Sequence, residues 1–198
     1  LCPDSDSRMD ILSRPMTSTN YVYTGTQKKS SVYSSVSNYR YSQLFYDILK
    51  MPVSIRNRVA LNADANPFQE YLMGVRYIQT NTGKIPTGYR ILAEKNEQVL
   101  AENDQVLPLA YGSTALISEE SFDQLSYPEN LDTIVSRTIV SNPEKETAYT
   151  SQMKSCTLPS DLFRQNAPST EKTDKKKLPF TVEDQVLLLF FHVEHQGA

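Results

Sequence analysis

The clearest hydrophobic patterning along the chain lies in residues 66–81, NPFQEYLMGVRYIQTN. Asn66 is suited to accept first-turn amides, and Pro67 at the first helical position gives up an N–H that would have no helical partner. Gln69 stands where a capping box takes Glu or Gln. The spacing predicts a helix carrying Phe68, Tyr71 and Leu72 inward, with Gly74 closing it in the left-handed conformation. Alternation from Val75 onward predicts a strand. The turn-rich TNTGKIPTG leads to a second predicted strand at YRIL. Residues 98–112, QVLAENDQVLPLAYG, predict a strand, a turn at Asn103-Asp104 and a further strand, with Pro108 at an edge or at the end of pairing.

Upstream, RMDIL (residues 8–12) alternates weakly. Tyr21, Tyr23, Val32, Tyr33 and Val36 lie among Ser, Thr and Gly, a pattern of short strands or extended loops. Residues 41–50, YSQLFYDILK, place Leu44, Phe45, Ile48 and Leu49 on one helical face, with Pro52 expected to end the helix. Downstream, Ser118 is placed to cap a helix over EESFDQLS. A second helix over ENLDTIVSRTIV would carry Leu131, Ile134, Val135 and Ile139 on one face. Residues 141–178 turn polar and contain Pro143, Pro159 and Pro168, which we read as a loosely structured connection. FTVEDQVLLLFFHVEH then reads as a buried strand whose partners lie partly beyond Ala198. The expected class is α+β: a mixed β-sheet with flanking helices over residues 1–140, a polar connection over 141–178, and over 179–198 the first strand of a second, β-rich domain that the chain truncates. No internal repeat is visible.

Composition narrows the function. The chain has 198 residues, 39% of them hydrophobic, and 12 tyrosines, enough for a buried core. It starts at Leu1 without a charged-then-apolar leader, so we expect a piece of a longer or processed chain. A net charge of −3 argues against a nucleic-acid partner. The only dense basic run, KTDKKK at residues 172–177, reads as a solvated linker. The longest apolar run, VLLLFF, is far shorter than the roughly 20 residues of a spanning helix.

Candidate chemistry is sparse. Cys2 and Cys156 make neither a disulfide framework nor a zinc pattern, and Cys156 has no histidine nearby in sequence. His192 and His195 are three apart on an expected strand and so point to opposite faces. The D-x-D of Asp4 and Asp6 lacks further oxygen ligands, Arg8 standing where another acceptor belongs. There is no G-x-S-x-G, P-loop or G-x-G-x-x-G. We therefore expect no catalytic residue, no metal and no cofactor in this segment. The tyrosines between Tyr21 and Tyr46 are either packing residues or a sugar-stacking surface, for which Tyr21, Tyr23 and Tyr39 are the candidate glycan contacts.

LMGVRYIQTN, a Gly/Pro turn, GYRIL and VLAENDQVLPLAYG together resemble the YfhO family of bacterial membrane proteins. The resemblance rests on Leu72, Gly74, Val75, Arg76, Tyr77, Glu102, Asn103, Leu107, Pro108, Ala110 and Tyr111. Arg8 in RMDIL, and Ser34, Ser35 and Asn38 in SSVYSSVSN, look like two further family elements. KLPFTVEDQVLLLFFHVEH looks like the opening strand of the sheet domain that follows in that family. The resemblance departs most over residues 141–178.

The resemblance implies a polytopic protein with a GT-C-like transmembrane body and a large domain outside the cytoplasm. Such a protein would glycosylate envelope polymers such as lipoteichoic acid from a polyprenyl-phosphate sugar in a Gram-positive bacterium. The catalytic acids of that class lie in loops of the membrane body, so none carries over to this chain. The implied partners are the transmembrane body of the same polypeptide and the polymer or the lipid-linked sugar. The alternative is a stand-alone extracellular glycan- or solute-binding module, which a lipidated Cys2 would suit.

Overall fold

The computed structural model of the protein describes residues 6–12, 20–22, 25–33, 38–51, 59–60, 66–151 and 153. The chain divides into units 1–153 and 154–198. The second unit, with the strand expected in residues 179–198, lies outside the described residues.

The expected α+β class with a mixed sheet is what forms. β1 (Arg8–Ile11), β4 (Val75–Asn81), β6 (Gln98–Glu102) and β5 (Arg90–Lys95) make a four-stranded sheet in the order β1-β4-β6-β5. β1 runs parallel to β4, and β4/β6 and β6/β5 are antiparallel. β4 is covered on both faces, because Val75 and Tyr77 on one side and Ile78 and Thr80 on the other are all buried. Its alternation of VRYIQ was therefore a guide to strand, not to a solvent face. β5 is exposed throughout and shifts register between Ile91 and Ala93. A bulged, charged edge of this kind resists addition of a further strand. Asn96 and Glu97, both at positive φ (51° and 61°), close the β5–β6 hairpin, the geometry a two-residue turn demands.

α2 (Pro67–Met73) feeds β4 directly. Asn66 Oδ1 accepts from the amides of Phe68 (3.0 Å) and Gln69 (3.3 Å), and Asn66 Nδ2 donates to Leu49 O (2.9 Å). The cap thus stops the helix from extending backward and ties it to the preceding helix. At the other end Gly74 takes φ 61°, and its amide bonds the carbonyls of the last turn. A Cβ at Gly74 would fall closer to Leu107 O than side-chain carbon approaches oxygen, so bulk as well as φ requires glycine there.

The inward face of α2 differs from the expected one. Gln69 and Glu70 are its fully buried residues, whereas Phe68, Tyr71 and Leu72 are half-buried. Phe68 and Leu72 pack against a helical cluster of Phe45, Leu49, Met51 and Leu131. α2 therefore has packed neighbours on its apolar side as well as its polar one, and the single-face assumption failed.

The first helical segment begins earlier than expected. α1 (Tyr39–Ser42) starts at Asn38, whose side chain accepts from Tyr41 N at 3.2 Å, and continues as a π-helical turn over Gln43–Ile48. Leu49 N bonds Leu44 O at 2.8 Å, five residues back, and Lys50 leaves the helix at φ 50°. Pro52, the expected terminator, lies outside the described residues. β2 (Val32–Tyr33) and β3 (Val59–Ala60) form a short antiparallel ladder.

Residues 105–112 form no strand. The backbone of Leu107 is engaged elsewhere, its N–H donating to Tyr71 O at 3.0 Å. β7 (Leu116–Ser118), α3 (Glu119–Asp123), α4 (Glu129–Ser136) and β8 (Thr138–Val140) complete the described elements, β7 pairing with β8 in parallel. Ser118 caps α3 as expected, accepting from Ser121 N at 3.1 Å. α4 stops at Ser136, so Ile139 belongs to β8 instead of the helix face, drawn off by pairing with Ile117. Residues after Val140 pack back on this layer. Thr147 N donates to Leu116 O at 2.8 Å, and Tyr149 Oη donates to Asp132 Oδ1 at 3.0 Å. Glu146 accepts from the hydroxyls of Ser118 and Ser121 and from Ser118 N. These bonds hold its carboxyl below the usual carboxylate range.

Gly74→Ala should cost roughly 2–4 kcal/mol, because it adds an atom overlap to a left-handed φ. Urea denaturation of the chain measures this, and a loss within about 0.5 kcal/mol, the range of ordinary surface substitutions, would mean that the close approach to Leu107 is not a constraint.

Candidate functional site

Of the residues that carry the family resemblance, Arg8, Gly74, Arg76, Glu102, Asn103 and Leu107 come from three separated stretches, and the fold brings these together. From β1, Arg8 Nη1 donates to Met73 O at the end of α2, a carbonyl the helix itself leaves without a partner. That nitrogen lies 3.7 Å from where a Gly74 Cβ would stand. From the α2–β4 step, Gly74 packs under Leu107 of the third stretch. Arg76 O accepts from Asn103 N at 2.9 Å, and Asn103 Oδ1 turns the chain by accepting from Gln105 N at 2.9 Å.

Glu102 is 5% exposed and would be costly to bury alone. Two guanidinium groups grip it: Arg76 Nε and Nη2 lie 3.0 Å from Oε1, and Arg90 Nη2 meets Oε2. Opposite-charge neighbours at this range offset the desolvation of the carboxylate.

A second buried acid stands on β1. Asp10 is fully buried, and its carboxylate accepts from the backbone amides of Ser30 (3.0 Å) and Ser31 (3.3 Å) and from both their hydroxyls. Four donors replace the water that it loses. Two tyrosines share this polar region. Burial, with Asp10 adding and Arg8 opposing, pushes the Tyr41 hydroxyl up to about 12. Burial, reinforced by Glu70 and Asp10, raises Tyr89 still further, and its hydroxyl donates to Val75 O. The buried side-chain carboxamide of Gln69, by contrast, makes no hydrogen bond, so the expected capping box does not form. The Asn66 side chain already serves the first-turn amides.

Chemically this is a packing node. The carboxylates of Asp10 and Glu102 are both occupied by donors. Among the described residues no group of three or more His, Cys, Asp or Glu is placed to hold a metal ion.

The tyrosines sort into two kinds. Tyr41 and Tyr46 pack on Phe45, with ring centroids at 6.1 Å and 4.9 Å. Tyr21 (48% exposed) and Tyr39 (76% exposed) stand outside that cluster at the surface. Tyr23 lies outside the described residues, as do Asp4, both cysteines and both histidines. Asp6 is exposed and pairs with Lys28 at 3.4 Å. Sequence reading missed two exposed side chains, Leu109 and Tyr111, by assigning their stretch to a strand. It also missed Asp10, whose apolar neighbours Met9 and Ile11 were its only signal of burial.

Fold and node together define an α+β domain in which Arg8, Gly74, Arg76, Glu102, Asn103 and Leu107 serve internal packing, while Pro108, Ala110 and Tyr111 of the same motifs are exposed. The chain belongs to the family described as bacterial membrane protein YfhO, whose model matches residues 16–187. No curated protein and no solved structure matches it. No helix among the described residues is long and apolar enough to cross a membrane.

The raised tyrosines make stability fall at alkaline pH. The folded state keeps Tyr41 and Tyr89 protonated while the unfolded chain ionises them near pH 10. Their contribution is complete below about pH 10 and is lost as pH rises toward 12 and beyond. Denaturation midpoints measured from pH 8 to 12 should drop in that window, and drop less in Tyr89→Phe. An equal drop in that variant would remove Tyr89 from the account.

Proposed function

We propose that this chain is an extracytoplasmic accessory domain of a polytopic membrane glycosyltransferase in a Gram-positive bacterium. The parent protein transfers sugar from a polyprenyl-phosphate donor to a cell-envelope polymer such as lipoteichoic acid. This segment is non-catalytic and braces the membrane body or positions the acceptor. The observation that carries the scaffold role is the node itself: Arg8, Gly74, Arg76, Glu102, Asn103 and Leu107 engage one another or neighbouring backbone. Membership in a membrane protein family supports the membrane body as partner. In this reading residues 1–140 form the domain, 141–178 the connection to the next, whose Thr147 and Tyr149 bond back onto the domain, and 179–198 the first strand of that β-rich domain. Exposure of Tyr21 and Tyr39 supports them, with Tyr23, as the surface on which a pyranose stacks.

An antibody against this chain should detect, in the native cell, a membrane-embedded band far larger than 22.5 kDa. Protease added to wall-stripped intact cells should clip that band from outside. Replacing Tyr21, Tyr23 and Tyr39 by Ala should lower sugar on the envelope polymer while leaving the band intact. A small soluble or merely lipid-anchored band would instead support a stand-alone binding module and sink the transferase reading. Unchanged glycosylation in the triple variant would remove the stacking surface alone.

A further inference from the structure

Residues 108–112, Pro-Leu-Ala-Tyr-Gly, form a strap that the domain holds at both ends and leaves bare between them. At one end Leu107 is fixed by Tyr71 and by its approach to Gly74. At the other, Ala115 O accepts from Thr138 N at 2.8 Å, and Thr114 O accepts from the Thr147 hydroxyl at 3.1 Å. Every residue from 108 to 114 is exposed, with Leu109 at 40% and Tyr111 at 56%. Residues 105–118 contain no Asp, Glu, Lys or Arg, in a chain where 22% of residues are charged. A surface segment that water alone covered would not need to be both pinned and uncharged, so the strap calls for an apolar contact.

We propose that this strap is a membrane-interface contact, with Leu109 and Tyr111 seated at the boundary between lipid headgroups and acyl chains. Two large side chains on a five-residue strap fall well short of the roughly 800 Å² per partner of a stable protein interface. A bilayer asks for no complementary shape and accepts an aliphatic side chain beside a tyrosine, whose ring suits the apolar layer and whose hydroxyl suits the headgroups. The family is a membrane protein family, so a domain it carries is held beside a bilayer, where a weak contact is enough. In sequence the strap is flanked by Asp104 on one side and Glu119 and Glu120 on the other, which points to neutral headgroups and apolar insertion over attraction to anionic lipid. The proposal depends on family membership and on the strap, and not on the sugar-transfer reading.

The chain contains no tryptophan, so Tyr111→Trp makes a single local reporter. With phosphatidylcholine vesicles its emission should shift to the blue and be quenched by bromine-labelled acyl chains. The same reporter placed at Tyr39 should remain water-exposed. Adding Leu109→Asn to Tyr111→Trp should weaken partitioning roughly ten-fold, as loss of one buried aliphatic side chain requires. Urea denaturation of each variant checks that the domain remains folded. An unshifted, unquenched Trp at 111 overturns the proposal, even if the chain sediments with vesicles. So does a shift that needs anionic lipid and disappears in salt. A shift seen only in the full-length protein and untouched by brominated lipid would mean that the strap contacts protein, which also overturns it.

Discussion

The close approach of the Gly74 backbone to Leu107 O is the constraint on which the described fold depends. It fixes where α2 ends, because only a residue without Cβ takes that left-handed turn in that space. It also fixes where β4 begins, one residue later, and so sets the register of β4 against β6 from Tyr77–Glu102 to Asn81–Gln98. On the other side it holds residues 105–107 against α2, which removes their backbone from sheet pairing. Arg8 adds the last tie, bringing β1 to the same helix end.

Charge is arranged around this step so that the buried carboxylates of Glu102 and Asp10 are met by donors. Glu102 sits between two arginines, and Asp10 sits among the amides and hydroxyls of Ser30 and Ser31. Removing one partner from such a group leaves a buried charge exposed to low dielectric, a far larger penalty than the loss of a surface pair. The consequence for function is that these side chains are committed to structure. The large hydrophobic side chains that the described surface exposes include Tyr21, Tyr39, Leu109 and Tyr111.

Local signals in the sequence were strongest where one residue's own chemistry decides the backbone. Asn66, Pro67, Gly74 and Ser118 mark helix ends because caps and left-handed turns act within a few residues. The alternation of VRYIQ likewise belongs to β4 alone. Signals failed where distant partners decide. The strand expected across residues 105–112 is lost to the contact with α2, and Ile139 leaves the helix for a ladder with Ile117. The π turn over Gln43–Ile48 keeps the same apolar residues that an α-helix would present, so periodicity does not distinguish the two. Gln69 was read as a capping residue, and Glu70 drew no reading. Their burial follows from α2 packing on more than one side, which no single-helix pattern encodes. Of the site, the motif residues were legible as a set, but that Arg8, Gly74, Arg76, Glu102, Asn103 and Leu107 meet in one node was not.

The central claim is that residues from three separated stretches form one cooperative unit. Native-state hydrogen exchange tests it most directly, because amides that open together share one opening free energy. The amides of Val75, Tyr77, Ile78, Asn103 and Leu107 should fall in one slow class, and Arg8→Gln should accelerate them together. Fast exchange at Asn103 and Leu107 beside a protected β4, or acceleration confined to β1, would contradict it.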